Sequence, residues 1–156
     1  MRSDAWLVER AELLWGKSFA DIEKKNRIVV RFKGRWKNKF GHIKRLKNND
    51  TEICINGLCK NDSIPEYIID LTLAHEIVHY IHGFQSPYER MYEHPHKGGI
   101  VRKELVKRGF KNALKAERVF LKKEWLSICK ELLLNKSTKT KEKQSLHSLL
   151  RWYNHL

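Results

Sequence analysis

The segment spanning residues 68–81, IIDLTLAHEIVHYI, limits what this chain can fold into more than any other. Ile68, Ile69, Leu71, Leu73, Ile77, Val78 and Ile81 surround the axis of a helix that begins after Asp62 and Ser63, carries Pro65 near its first turn and stops at Gly83. A helix that is apolar on nearly every side must be largely buried. Yet within it lies Ala74-His75-Glu76-Ile77-Val78-His79, and side chains four apart share a face, so both imidazoles reach one ion. Two imidazoles and a carboxylate among Ile, Leu and Val are costly to bury without a partner, and a metal supplies one. Zn²⁺ is the expected ion: a catalytic zinc keeps three protein ligands and one open position. Glu76, adjacent to the first ligand but rotated off it, is the candidate general base of an HExxH metallopeptidase.

The third ligand must come from another segment. His96, 17 residues beyond His79 and just ahead of a helix, is the first candidate, since Ile100, Val101, Leu105 and Val106 can hold that helix against the core. His94 is the alternative, and Glu89, Glu93 and Glu104 are candidates by composition. The extended pattern HExxHxxGxxH needs Gly at 82 and His at 85; the chain has His82 and Gln85, which excludes that subclass. His82 is expected to serve around the ligands or face solvent. Tyr80, Tyr88 and Tyr92 are available near the motif, and tyrosines there more often pack than react.

Around the motif, the expected organisation is α+β. Asp4 caps a first helix running to about Trp15, with Leu7, Ala11, Leu14 and Trp15 on one stripe and Gly16 ending it. Segments 28–32, 36–46 and 52–56 are rich in β-branched and aromatic residues and read as a small antiparallel sheet. After the motif come a polar loop over 84–97, a helix from about Gly99 to Arg108, and a basic helix over 113–134 with Val119, Phe120, Leu126, Cys129 and Leu133 inward. Residues 1–134 thus form one domain, 135–145 (NKSTKTKEKQS) a flexible basic linker, and 146–156 a short tail helix. Cys54, Cys59 and Cys129 contain no CxxC pair, so neither a disulfide framework nor a zinc ribbon is expected, and Cys54 reads as a strand packing residue.

Thirty-two Lys and Arg against 18 Asp and Glu give a net charge of +14, a field that attracts polyanions. Nucleic acid is the expected partner, DNA favoured, besides a protein or peptide substrate. Lys33, Arg35, Trp36 and Lys37 in the strand region and Arg102 and Lys103 in the helix after the His-rich loop are the candidate contacts. No apolar run is long enough to span a membrane and the N-terminus reads as an amphipathic helix with acids rather than a signal peptide, so an intracellular location is expected.

The opening amphipathic helix, the basic strands with Gly41, ICINGL over 53–58, Pro65-Glu66-Tyr67, LAHEIVHYIHG and the downstream His96 leading to Gly109 together resemble the SprT-like zinc metallopeptidases, the Spartan-type protease domain. The likeness spans most of residues 1–110. It implies a compact zincin-like domain, one catalytic zinc on His75, His79 and His96, Glu76 as base, and action on DNA-associated or DNA-crosslinked proteins with DNA as activator. The chain departs from that family in having Lys97 and Ile100 where the family often has Gly and an aromatic, and in lacking four C-terminal cysteines for a zinc ribbon. A reading from a different class is a basic nucleic-acid-binding module with a structural or vestigial zinc site.

Overall fold

The computed structural model describes residues 1–134; the expected linker and tail helix lie outside the described residues. Helix α1 (Asp4–Ser18) leads into strands β1 (Ile28–Lys33), β2 (Gly41–Arg45) and β3 (Thr51–Asn56). The buried helix α2 (Glu66–Ile81) follows, then α3 (Ile100–Lys107) and α4 (Lys111–Phe120). The architecture is α+β.

Ser3, rather than Asp4, caps α1: its hydroxyl accepts from the Trp6 amide at 3.1 Å. Asp4 is the first helical residue, and its carboxylate accepts instead from the Phe32 amide of β1 at 3.1 Å. The helix also runs through Gly16 to Ser18, because Leu7, Ala11, Leu14 and Trp15 are buried and hold its last turns against the core. Arg10 fixes α1 to α2 through a two-pronged contact with Asp70, at 2.6 and 2.7 Å. That hydrogen bond holds the guanidinium above its already high ordinary range.

The three strands form a mixed sheet in the order β1-β3-β2, not the antiparallel one expected. β3 runs parallel to β1, with Val30 opposite Ile53, and antiparallel to β2, with Ile43 opposite Ile53. Every residue of β3 is buried, so it takes the centre, while β1 and β2, which carry Arg31, Lys33, Lys44 and Arg45 outward, take the edges. Side-chain alternation decides which face a residue joins and says nothing of strand direction. Since β1 and β2 flank β3, residues 34–40 must cross the sheet end, which shortens the strand expected over 36–46. Asn56 pins this crossing: its side-chain amide donates to the carbonyls of Trp36 (2.6 Å) and Lys39 (2.9 Å).

Ile53 and Ile55 join the buried side chains of α1 and α2 in one core. Each such aliphatic side chain contributes about 1.5–3 kcal/mol when fully buried. Beyond α4 the helical backbone continues through a π-helical turn, Leu121–Trp125, into residues 126–134. That turn shifts the helical register and with it the inward face. Leu114, Phe120, Trp125 and Cys129 are buried, Leu133 is half-buried, and Val119 and Leu126, expected inside, are each 49% exposed. Val106 of α3 is likewise exposed, leaving Val101 and Leu105 as its buried residues. No helix among the described residues is long and apolar enough to cross a membrane.

Candidate metal centre

The motif His75-Glu76-Ile77-Val78-His79 lies in the second half of α2, whose surroundings fix both imidazoles. His75 Nε2 and His79 Nε2 are 3.0 Å apart. His96 reaches them from the loop: its ring lies 5.3 Å from that of His75 and 4.7 Å from that of His79. One nitrogen of each falls within 4.8 Å of the others. A tetrahedral zinc with Zn–N near 2.0–2.1 Å needs neighbouring ligand nitrogens about 3.4 Å apart. The three-imidazole set fits that ion in donor chemistry and in span. One feature departs from common practice: His79 Nδ1 is buried without a partner, whereas a ligand imidazole usually donates there to a carbonyl or carboxylate.

Electrostatics favour lone pairs free for a cation. Burial, reinforced by His96, pushes His75 down to about 4. Burial, then His75, His96 and His82, pushes His79 down to about 3. Glu76, 5% exposed, is pushed up to about 8 by burial, with Lys39 opposing. Its carboxyl has room because residue 41 is glycine: a Cβ there would come within 2.7 Å of Thr72 Cγ2 and 3.3 Å of Glu76 Oε1.

These groups line a cavity of about 480 Å³. Its floor is Leu71, Thr72, His75, Glu76 and His79 of α2. One wall is Lys39, Phe40, Gly41, His42 and Ile43, and the opposite wall is Phe84, Gln85, Pro95 and His96. Leu105, Leu114 and Glu117 close the remaining side.

The loop that returns His96 is anchored at its start. Gly83 adopts φ +79°, and any Cβ there would collide with the backbone of Glu89. Phe84 donates its amide to His79 O at 2.9 Å, Ser86 Oγ donates to Tyr80 O at 2.6 Å, and Met91 donates its amide to His82 O at 3.0 Å. Residues 89–94 and His96 are exposed, while Tyr88 and Pro95 are half-buried.

The other residues singled out in the sequence stand outside the three-imidazole cluster, His82 within electrostatic reach of His79. His94 is exposed, 3.9 Å from Glu93, and Glu104 is held by Arg108 at 2.8 Å. Glu89 presents its backbone to Gly83. His82 is buried beneath Tyr92 rather than facing solvent. Tyr80 is fully buried, donating to Asn26 Oδ1 at 2.8 Å and accepting from the Lys25 amide, while Tyr88 donates to Glu23 O.

Of the basic candidates, Lys33, Arg35, Lys37, Arg102 and Lys103 are exposed. Arg35 donates to Leu132 O at 2.6 Å, and Lys37 O accepts from the Trp125 indole at 3.0 Å. Trp36 is half-buried against His42, with Lys39 Nζ 4.3 Å over its ring. Loop 34–40 is therefore packed against the helical residues 125–132 while its end lines the cavity.

Sequence reasoning missed Lys39, Phe40 and Glu117 as cavity residues. Only the helical spacing of Leu114 and Glu117 on α4 carried a signal. It also missed a second group, His42, Glu52 and Cys54, on the sheet face away from α2. There Glu52 is already paired with Arg31 and lies 3.7 Å from Lys33, so a divalent cation would meet two resident positive charges. Comparison of the chain with family models, with curated proteins and with solved structures finds no match.

Proposed function

We propose that the chain is a zinc-dependent metalloendopeptidase of the SprT-like, zincin kind. One observation carries the reading: three imidazoles from α2 and its following loop converge beside a buried glutamate in a cavity walled by an edge strand. His75, His79 and His96 would hold the zinc. When bound there, the ion supplies Lewis acidity toward a water and toward a peptide carbonyl.

The chain's own groups do the rest. Glu76 accepts a proton from the attacking water at its carboxylate and returns it to the departing nitrogen as the C–N bond breaks. Glu76, raised by burial, would be ionised beside a bound divalent cation, whose charge would favour its carboxylate form. β2 pairs with β3 on one side only, and Gly41, His42 and Ile43 line the cavity. An extended substrate can therefore add to that edge and present its backbone to Glu76. The net charge of +14 favours DNA-associated proteins as substrates and DNA as the activator. Exposed Lys33, Lys37, Arg102 and Lys103 are the proposed contacts.

The test is cleavage of a DNA-binding protein by wild type and Glu76→Gln, alone, with single-stranded DNA and with duplex, at fixed low salt, alongside zinc content. The expected result is DNA-stimulated cleavage by wild type, a loss of about 10²–10⁴-fold in Glu76→Gln, and unchanged zinc. Full activity in that variant removes Glu76 as the base. Zinc and DNA binding without any cleavage favours the binding-module reading.

A further inference from the structure

Two carboxylates line the cavity, and only Glu76 is used by the chemistry above. The other, Glu117, stands on α4 one turn beyond Leu114. It is half-buried, and its carboxylate has no hydrogen-bond or ion-pair partner within 4 Å among the described residues. Arg102 is near enough to stabilise its charge but does not reach it. Burial raises its pKa, as expected for a carboxylate drawn out of water without a partner. In a chain carrying 14 more positive than negative charges, where Asp21, Asp70, Glu52 and Glu104 all have cationic partners, an unpaired and partly desolvated acid at a cavity wall is a feature that asks for a ligand.

Its place relative to the metal ligands follows from α2. Tyr67, Leu71, His75 and His79 succeed one another at four-residue spacing on one face. Burial first, then the carboxylates Glu124 and Glu117, hold the Tyr67 phenol above its ordinary range, so Glu117, a lining residue of the cavity, is also within electrostatic reach of Tyr67. Tyr67 and His75 are about 12 Å apart along the axis, with Leu71 between them. Leu71, Leu105 and Leu114 line the same cavity as His75 and Glu117, and Leu71 stands between Tyr67 and His75 on the α2 face.

Apolar lining residues beside one unpaired carboxylate match a long aliphatic stem with a cationic tip. We propose that Glu117 is a specificity-determining residue that takes the charged end of a Lys or Arg side chain flanking the scissile bond, its stem lying along Leu71, Leu105 and Leu114. The proposal rests on the peptidase reading for its orientation toward a scissile bond. The binding of a cationic side chain at Glu117 is a separate observable.

The experiment therefore measures binding and turnover in parallel on the full chain. Blocked octapeptides that differ only in one Lys or its uncharged counterpart norleucine are titrated against zinc-loaded Glu76→Gln, with Glu117 intact, as Glu117→Gln and as Glu117→Lys. With Glu117 intact, the Lys peptide binds about 10–100-fold more tightly, the range for hydrogen bonds to charged groups. The ratio falls toward one in Glu117→Gln, and Glu117→Lys prefers a Glu peptide.

Equal affinities, a ratio that survives Glu117→Gln, or no binding of either peptide overturns the assignment. Melting curves of the three proteins separate a lost pocket from a lost fold, because a merely structural role lowers stability and leaves the ratio unchanged. Cleavage mapping with the Glu76-intact chain tests the underlying reading. A Lys preference in binding without cleavage of any peptide sinks the peptidase and keeps the subsite, whereas cleavage with no Lys preference does the reverse.

Discussion

The two halves of the candidate site are built differently. His75, Glu76 and His79 stand on α2, a helix buried on nearly every side, held at its start by Arg10 on Asp70 and flanked by Ile77 and Val78, which are at most 1% exposed. His96 stands on a loop attached to the rest of the fold through Phe84, Ser86, Tyr88, Met91 and Tyr92, and is itself exposed. Packing positions the first half before any ligand arrives. The second half has fewer buried side chains to hold it, so its order is expected to depend more on what joins it to the first. If a cation joins the halves as proposed, the loop's order and the ion's affinity become two measures of one equilibrium.

That asymmetry is broken most directly by removing ligands one at a time. His79→Ala should abolish zinc retention after dialysis and all turnover, an effect larger than the roughly 10–100-fold cost of losing an outer-shell partner. His96→Ala should weaken zinc by less than His79→Ala, because the helix pair remains preformed. His94→Ala should change neither quantity, since that ring stands outside the cluster. Competition with a chromogenic chelator ranks the three. Equal affinities for His96→Ala and wild type would make the third ligand some other group.

Removing the metal instead of a side chain sharpens the same contrast. Chelation should raise hydrogen exchange through residues 92–99 by more than tenfold, about 1.4 kcal/mol of local stability per tenfold, while amides of α2 stay protected. If α2 loses protection to the same extent, the helix half is not preorganised and the distinction fails. A smaller effect is expected at the joint between the halves. Gly83→Ala should cost about 1–3 kcal/mol in denaturant melts, because a Cβ at φ +79° meets the Glu89 backbone and the turn must open.

The same asymmetry explains what could be read from the chain. The helix half was legible because burial and four-residue spacing are local: the apolar residues of α2 and the stripe Leu7, Ala11, Leu14, Trp15 are inside as their periodicity requires. The ranking of His96 over His94 rested on spacing and chain reach, whereas the structure separates them by the direction of a loop that no periodicity encodes. Strand order was not legible, since β3 takes the centre through its pairing with β1, a contact between residues more than 20 apart. The π turn at 121–125 rotates the helical face that follows it, so Leu126, read as core, is exposed; Glu117 precedes that turn and was missed because the inward face was drawn through Val119 and Phe120 rather than through Leu114 and Phe120.

The gentlest test of the helix half uses protons on the metal-free chain. His75 and His79 are held near 4 and 3 in the fold against an ordinary value of 6.5, so below about pH 6.5 the unfolded chain binds protons that the folded chain refuses. Their contribution is complete above that pH and is lost as pH falls toward 4. Glu76 works oppositely: held near 8 against 4.5, it keeps a proton in the fold that the unfolded chain releases, so stability falls as pH rises from 4.5 to 8.

Between pH 8 and 6.5 only Glu76 contributes a slope; below 6.5 the two imidazoles outweigh it. These three groups therefore place maximal stability of the metal-free protein near pH 6.5, with limbs approaching about 1.4 kcal/mol per pH unit. Glu76→Gln should flatten the alkaline limb and leave the acid limb in place. Denaturant midpoints from pH 4.5 to 8 read both limbs. An alkaline limb that persists in Glu76→Gln would show that the buried carboxyl is not the group responsible, and that α2 does not hold its glutamate out of water as its packing implies.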